Sequence, residues 1–373
     1  MTLFRRIAGG VLLVLAAATV ALGLVMSHDS ACGAAPSLPA DTVRMKAIVH
    51  RCYGNPDVLR LEDMAKPVPA DDEVLARVHA AAVNPLDWHY LEGAPYLVRV
   101  LDSGIGTPHN PRLGVDFAGT VEAVGKNVRR FKPGDEVFGG KFGAFAEYVS
   151  FREELAVVPK PAGLTFEQAA AIPIAGITAL QALRDKGRVQ SGQKVLIIGA
   201  SGGVGTFAVQ IAKSFGAEVT GVCSTRNLDM VRKLGADHVL DYTREDVIQS
   251  GQRYDLILDN VGARSVSELL AFRRIMTPKG MFILIGGGGP EGRWVGGLST
   301  FLDTVLVTPF VSQSYVSLLA DLNKEDLTML AELMQAGKLT AVIDRRYSLS
   351  EAPAALQYLE AGHARGKVIL SAD

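Results

Sequence analysis

Three glycines carry the first chemical signal in the chain. In VLIIGASGGVGTFAVQIAKS, Gly199, Gly202 and Gly205 follow the apolar run from Val195 to Ile198 and lead into a segment of helical character. Glycine at those points lets the turn tighten and lets backbone N–H groups approach a pyrophosphate seated on the N-terminus of the next helix. Ser201, Gly202, Gly203, Val204 and Gly205 are therefore the expected cofactor cradle, because the pattern lies between a predicted strand and a predicted helix. About twenty residues further on, a site for NAD carries Asp or Glu to hold the adenosine ribose. This chain reads GVCSTR there and offers the hydroxyls of Ser224 and Thr225 and the guanidinium of Arg226. Such donors suit a 2′-phosphate, so the expected cofactor is NADPH.

The elements that must position this turn fall into two textures. From Met45, short strand-like stretches separated by Gly and Pro turns, among them Glu73 to Ala82 and Gly114 to Gly139, predict a β-rich, barrel-like module. From Phe166 a helical segment leads into the glycine turn, and apolar strands then alternate with helices: VTGV, HVLDY, YDLILDNVG and MFILIGGGG. That alternation predicts βαβ units in a doubly wound parallel sheet, so the fold class is α/β. After about Thr308 the chain reads as helical, through DLTMLAELMQAGKL, and ends in the apolar strand KVILS. The expected division is 1–44 as anchor and tether, 45–173 as catalytic domain, 174–308 as dinucleotide-binding domain and 309–373 as a segment completing the catalytic domain.

Composition narrows the partners. A chain of 373 residues, 48% hydrophobic and 21% charged, has room for two ordinary domains. A net charge of −1 provides no basic field for a polyanion, so small molecules are expected and nucleic acid is not. Cys32, Cys52 and Cys223 are widely spaced without a CxxC pair, and the expectation is isolated reduced thiols. Ile7 to Met26 carries no charge over twenty residues, enough helix to cross a bilayer, and predicts a membrane-anchored protein with a hydrophobic N-terminal helix. A cleaved signal peptide competes with this, and Asp29 argues against lipid attachment at Cys32. Ser27 to Arg44 reads as a flexible tether. Arg5 and Arg6 would send the catalytic domain across the membrane, so the side stays open; translation from near Met45 would leave a cytoplasmic protein.

Taken together, MKAIV, AAVNPLD, GVDFAGTVEAVG, GDEVFG, FAEYV, GASGGVG, LGADHVLDY and the closing GKVIL resemble the medium-chain dehydrogenase/reductase superfamily, in particular its zinc-free quinone oxidoreductase and zeta-crystallin branch. The resemblance runs from Met45 to the C-terminus and implies a GroES-like catalytic domain with an inserted Rossmann domain. By the same resemblance Asn84 and Asp87 line the nicotinamide and substrate pocket, with a plain Asx turn as the alternative. His89 stands where the branch commonly has a tyrosine, with Tyr90 next to it, so the proton donor stays open. The resemblance also places Tyr242 against the adenosine phosphate, Asn260 and Gly262 near the nicotinamide ribose, and Lys367 near the cofactor's phosphates.

Departures from zinc-dependent relatives are equally informative. Val83–Asn84–Pro85 and Gly114–Val115–Asp116 occupy positions where those enzymes carry a Cys ligand and a Gly-His-Glu, and the four-cysteine lobe is missing. No metal is expected, and His89 and His109 lack ligand partners. Without a Lewis acid, hydride transfer to an electron-poor quinone or α,β-unsaturated carbonyl is the expected reaction. A non-catalytic NADPH-binding sensor or structural protein is the alternative of another class, and a zinc-type alcohol dehydrogenase the weaker enzymatic one. A homodimer stays open as the assembly.

Overall fold

The computed structural model describes residues 17, 19–262, 265–285 and 312–372. Among these, the first module is built on β3 (Glu73–Val83), an eleven-residue strand whose β-branched and small side chains are almost all buried. The sheet runs β14 (Ile343–Ser348), β15 (Lys367–Ser371), β3, β4 (Asp116–Val124), β5 (Glu136–Gly140) and β7 (Val157–Pro159), with β6 (Tyr148–Arg152) also on β3. Apart from the parallel pair β14–β15 its pairings are antiparallel. The C-terminal strand is thus part of the first module, paired Val368 to Val83 and Ile369 to Ala82. A hairpin of β1 (Arg44–Val49) and β2 (Arg60–Ala65) joins it by bridges from Ala47 to Ala146 and from Val49 to Arg112.

The second module is a parallel six-stranded sheet ordered β10 (His238–Asp241), β9 (Glu218–Cys223), β8 (Lys194–Ile198), β11 (Tyr254–Asp259), β12 (Met276–Ile285) and β13 (Ser314–Leu318). Its central strands are apolar on both faces, as a parallel sheet covered by helices requires. The strand order reverses direction at β8, so the glycine turn after β8 lies at the topological switch point. β13 falls beyond the expected limit of 308 for this domain, in a region expected to be helical. Residues 286–311, which hold the end of the MFILIGGGG signal, lie outside the described residues.

The N-terminus corrects three expectations. Among the described residues no helix is long and apolar enough to cross a membrane, so the membrane anchor and membrane localisation expected from Ile7 to Met26 are not supported. Residues 7–16 and 18 of that run lie outside the described residues, and 19–27 are helical, about 14 Å at the helical rise against a bilayer core of about 30 Å. The following stretch is not a free tether: Ser30 N–H donates to Gly106 O at 3.1 Å, and Asp29 pairs with Arg99 at 2.8 Å. Cys32 and Cys52 form a disulfide, so of the three thiols only Cys223 is free. Sequence spacing hides that bond because folding, not proximity along the chain, brings the two together.

Candidate active site

A cavity of about 910 Å³ separates the carboxyl edge of the parallel sheet from the first module. On one wall stands the glycine turn. Gly199 has φ +74°, a conformation open to glycine, and a Cβ on Gly205 would come within 2.1 Å of Gly199 O, so Gly205 serves close packing of helix against strand. At Gly202 the nearest heavy atom to a Cβ is Gly199 O at 3.5 Å, which leaves the space in front of the helix Gly203–Ser214 open to a ligand. The turn is held to the first module by a bridge from Gly202 to Gly366 and by Gly366 N–H donating to Ser201 O at 2.8 Å.

Twelve of the fourteen expected site residues line this cavity: Asn84 and His89 from the first module, Ser201 to Gly205, Ser224, Arg226, Tyr242, Asn260 and Lys367. Asp87 does not; it faces a second cavity of about 330 Å³ with Tyr90, Asp102, His109 and Phe142. Gly262, at φ +73°, lines neither. Thr225 turns its hydroxyl away to Asp241, whose other oxygen accepts from Thr243 at 2.7 Å, so that carboxylate is already engaged. Arg226 donates to His363 O at 2.8 Å across the mouth of the cleft.

The fit to a polar ligand shows in orphaned atoms. Asn227 Oδ1, Asn260 Oδ1 and Trp88 Nε1 are buried in residues lining the cleft and have no hydrogen-bond partner among the described residues. Buried polar atoms are nearly always paired, so three around one cavity mark where a ligand's polar groups belong. Asn227 escaped the sequence reading. Its Nδ2 donates to Ser201 Oγ at 3.0 Å and Ser224 Oγ at 3.2 Å, joining the glycine turn to the end of β9.

The floor of the cleft is a buried ionic network. Asn84 Nδ2 donates to Asp116 Oδ2 at 3.0 Å and to Ala82 O at 3.2 Å, while Lys367 Nζ donates to Asn84 Oδ1. The ammonium also stands 3.7 Å from Asp116 Oδ2, and Asp116 accepts from Ile174 N–H at 3.1 Å. Both amide protons of Asn84 are committed, so it has no N–H left for a ligand. It starts the helix Pro85–Glu92 through its backbone N–H, which donates to Asp87 Oδ2 at 2.7 Å. Asn84 at the N-cap and Asp87 three residues on form the arrangement of a capping box.

Burial dominates the titration of these groups. It pushes Asp87 up to about 7, against the hydrogen bond from Asn84 N–H and helped by the charge of Asp116. It pushes Asp116 up to about 6, against the pull of Lys367 and the bond from Asn84. Burial also lowers Lys367 and His89. His89 Nδ1 lies 2.9 Å from Ala94 O, so the neutral ring carries its proton on Nδ1 and presents Nε2 as an acceptor. It is built to receive a hydrogen bond.

Two family models match the chain: "Alcohol dehydrogenase GroES-like domain" over residues 70–162 and "Zinc-binding dehydrogenase" over residues 234–370. The quinone-oxidoreductase homolog of Spinacia oleracea chloroplasts is 34% identical over 87% of this chain and 98% of its own length. The chain belongs to the medium-chain dehydrogenase/reductase superfamily, in its quinone oxidoreductase branch. The NADPH-dependent alkenal/one oxidoreductase of Arabidopsis thaliana chloroplasts is 32% identical over 93% of this chain and 85% of its own length. Among solved structures, the quinone oxidoreductase from Coxiella burnetii superposes with a TM-score of 0.78 at 31% identity, covering 89% of this chain and 100% of that one.

In this medium-chain dehydrogenase/reductase the residues of the cleft floor suit no catalytic zinc. Asn84 offers a committed amide, Val115 has no donor side chain, and Asp116 already has an ammonium beside it that would repel a divalent cation. Among the described residues no group of three or more His, Cys, Asp or Glu is placed to hold a metal ion. The fold itself supports a nicotinamide dinucleotide as the cofactor.

Proposed function

We propose that the chain is an NADPH-dependent reductase of quinones and α,β-unsaturated carbonyls that works without zinc. The observation that carries this reading is the cleft itself: a glycine turn fitted to a pyrophosphate faces a floor whose polar groups are locked together by Lys367 instead of being free to bind a metal. The names of the chloroplast relatives and of the Coxiella burnetii structure support the acceptor class.

Bound NADPH supplies the hydride. Ser201 to Gly205 hold its pyrophosphate, Ser224 and Arg226 its 2′-phosphate, Tyr242 its adenosine end, and Asn260 and Asn227 give acceptors for its hydroxyl or amide groups. Asn84 holds the cleft floor together, with its amide fixed by Asp116 and Lys367. His89 Nε2 receives a hydrogen bond from a ligand hydroxyl. Asp87 holds the start of the site helix through Asn84 N–H. Among the described residues the polar hydrogens of Asn84 and Lys367 in the cleft floor are committed, so water is the source proposed for the proton that completes the reduction.

An acceptor panel followed at the NADPH absorbance tests the proposal. Quinones and conjugated enones are expected to turn over at rates well above those of saturated ketones, which need carbonyl polarisation. Equal or better turnover of saturated ketones would overturn it.

A further inference from the structure

Arg99 heads the largest fully buried side chains, at 1% exposure, and it lies outside the cleft. Its guanidinium faces two directions. Nε donates to Gly93 O at 2.7 Å and Nη2 to Glu92 O at 3.0 Å, the carbonyls that end the helix begun at Asn84. Nη1 donates to Met26 O at 3.2 Å and His28 O at 3.3 Å, and Nη2 pairs with Asp29 at 2.8 Å. The rings of Tyr53 and Tyr96 stack on it, with centroids 4.1 and 4.6 Å away. A cation at a helix C-terminus satisfies orphan carbonyls and fixes the last turn.

The same place is closed by covalent chemistry. The Cys32–Cys52 disulfide ties the chain just after Asp29 to the residue before Tyr53, and Tyr53 Oη donates to Gly104 O at 2.6 Å. Ser30 N–H reaches Gly106 O on the same loop. Residues 26–32 are therefore fastened to Arg99, to Gly106 and, through the disulfide, to Cys52.

We propose that Arg99 is a positioning residue for the site helix and that residues 26–32 form a strap, latched by Cys32–Cys52, whose release by reduction loosens the acceptor side of the site. A dithiol delivers two electrons and two protons to the S–S bond, leaving Cys32 and Cys52 as thiols and the dithiol as its cyclic disulfide. The strap is then free of its covalent tether, and once it leaves, Arg99 keeps only the carbonyls of Glu92 and Gly93 and the two rings. The helix it caps carries His89 into the main cleft and Asp87 and Tyr90 into the second cavity, whose wall includes Asp102, Ser103 and His109 from the Arg99 loop. The glycine turn belongs to the other sheet and makes none of these contacts.

The inference rests on the reductase reading for its kinetic readout. Full-length protein is treated with dithiothreitol, and alkylation followed by mass measurement confirms that Cys32 and Cys52 are thiols. The KM for a quinone is expected to rise roughly threefold or more, with the NADPH Kd within about twofold, and amide exchange over residues 88–106 to accelerate. Cys32→Ser should reproduce this without reductant, and Asp29→Asn, at the exposed edge of the strap, should give part of it. Unchanged KM and exchange in chain shown to be reduced would overturn the proposal, as would a parallel rise in the NADPH Kd. If no quinone or enone is reduced in either redox state, the reductase reading fails, and exchange alone judges the strap: acceleration supports it and no change overturns it.

Discussion

Replacing Lys367 by Met removes its ammonium from the cleft floor while keeping a flexible side chain of similar reach. Lys367 is 3% exposed and Asp116 is fully buried, with the ammonium 3.7 Å from the carboxylate. Deleting one partner of a buried pair typically costs about 3–5 kcal/mol. Asn84 Oδ1 also loses its donor, worth about 1–3 kcal/mol when the atom stays buried. Two effects offset this: the variant no longer buries an ammonium, and Asp116, already pushed to about 6 with Lys367 beside it, takes up a proton. The net expectation is a loss of about 2–4 kcal/mol at pH 7.5, a fall in Tm of roughly 5–15 °C. Protonating Asp116 becomes easier by about 1.4 kcal/mol per pH unit as pH falls, so at pH 5.5 the deficit should shrink by about 1–2 kcal/mol. Urea unfolding of both proteins at the two pH values measures this. A deficit below about 0.5 kcal/mol at both, or one that does not move with pH, would refute the assignment of Lys367 as the partner of Asp116 and Asn84.

Asp87→Asn keeps an oxygen for Asn84 N–H but cannot titrate. Because burial raises the folded carboxyl to about 7 from 3.8, its stabilising contribution is complete below about pH 4 and is lost as pH rises to about 7. The variant should therefore gain on the wild type across that window in Tm against pH, and parallel curves would count against a buried protonated Asp87. Arg226→Asp should weaken NADPH binding by about 1.5–3 kcal/mol, the worth of hydrogen bonds to a charged group, with NADH affected far less; titration calorimetry with both nucleotides decides. Gly202→Val, whose new side chain enters open cleft, should abolish NADPH binding with little change in Tm. Gly205→Val, whose Cβ meets Gly199 O at 2.1 Å, should lower Tm as well, so equal melting of the two variants would contradict their different roles.

The side of the cleft that carries the glycine turn was legible because its information is local. Gly199 to Gly205 and Ser224 to Arg226 lie in consecutive strand–turn–helix pieces, and strand periodicity alone places them at one sheet edge. The floor was not legible, because the pairing of Lys367 with Asp116 and Asn84 exists only once β15 has joined β3 beside β4. That register also brings Lys367 Nζ to Asn84 while its stem lies against Gly203. Arg99 gave no sequence signal at all: a lone arginine in YLVRVLDS reads as a surface residue, and only the strap from Met26 to Asp29 and the two tyrosines bury it. The apolar N-terminal run shows the opposite failure, since hydrophobic length satisfied the rule for a membrane span while no helix among the described residues meets it.

Hydride transfer to the electron-poor carbon of a conjugated acceptor leaves an isotopic trace that can be read atom by atom. Purified protein, treated with EDTA, is given NADPH deuterated at both C4 positions together with a conjugated enone, and the product is analysed by mass spectrometry and NMR. The expected product carries one deuterium on the β-carbon and an intact carbonyl, formed at a rate indifferent to the chelator. Deuterium on the carbonyl carbon of an alcohol product, with activity lost on chelation and restored by zinc, would contradict it.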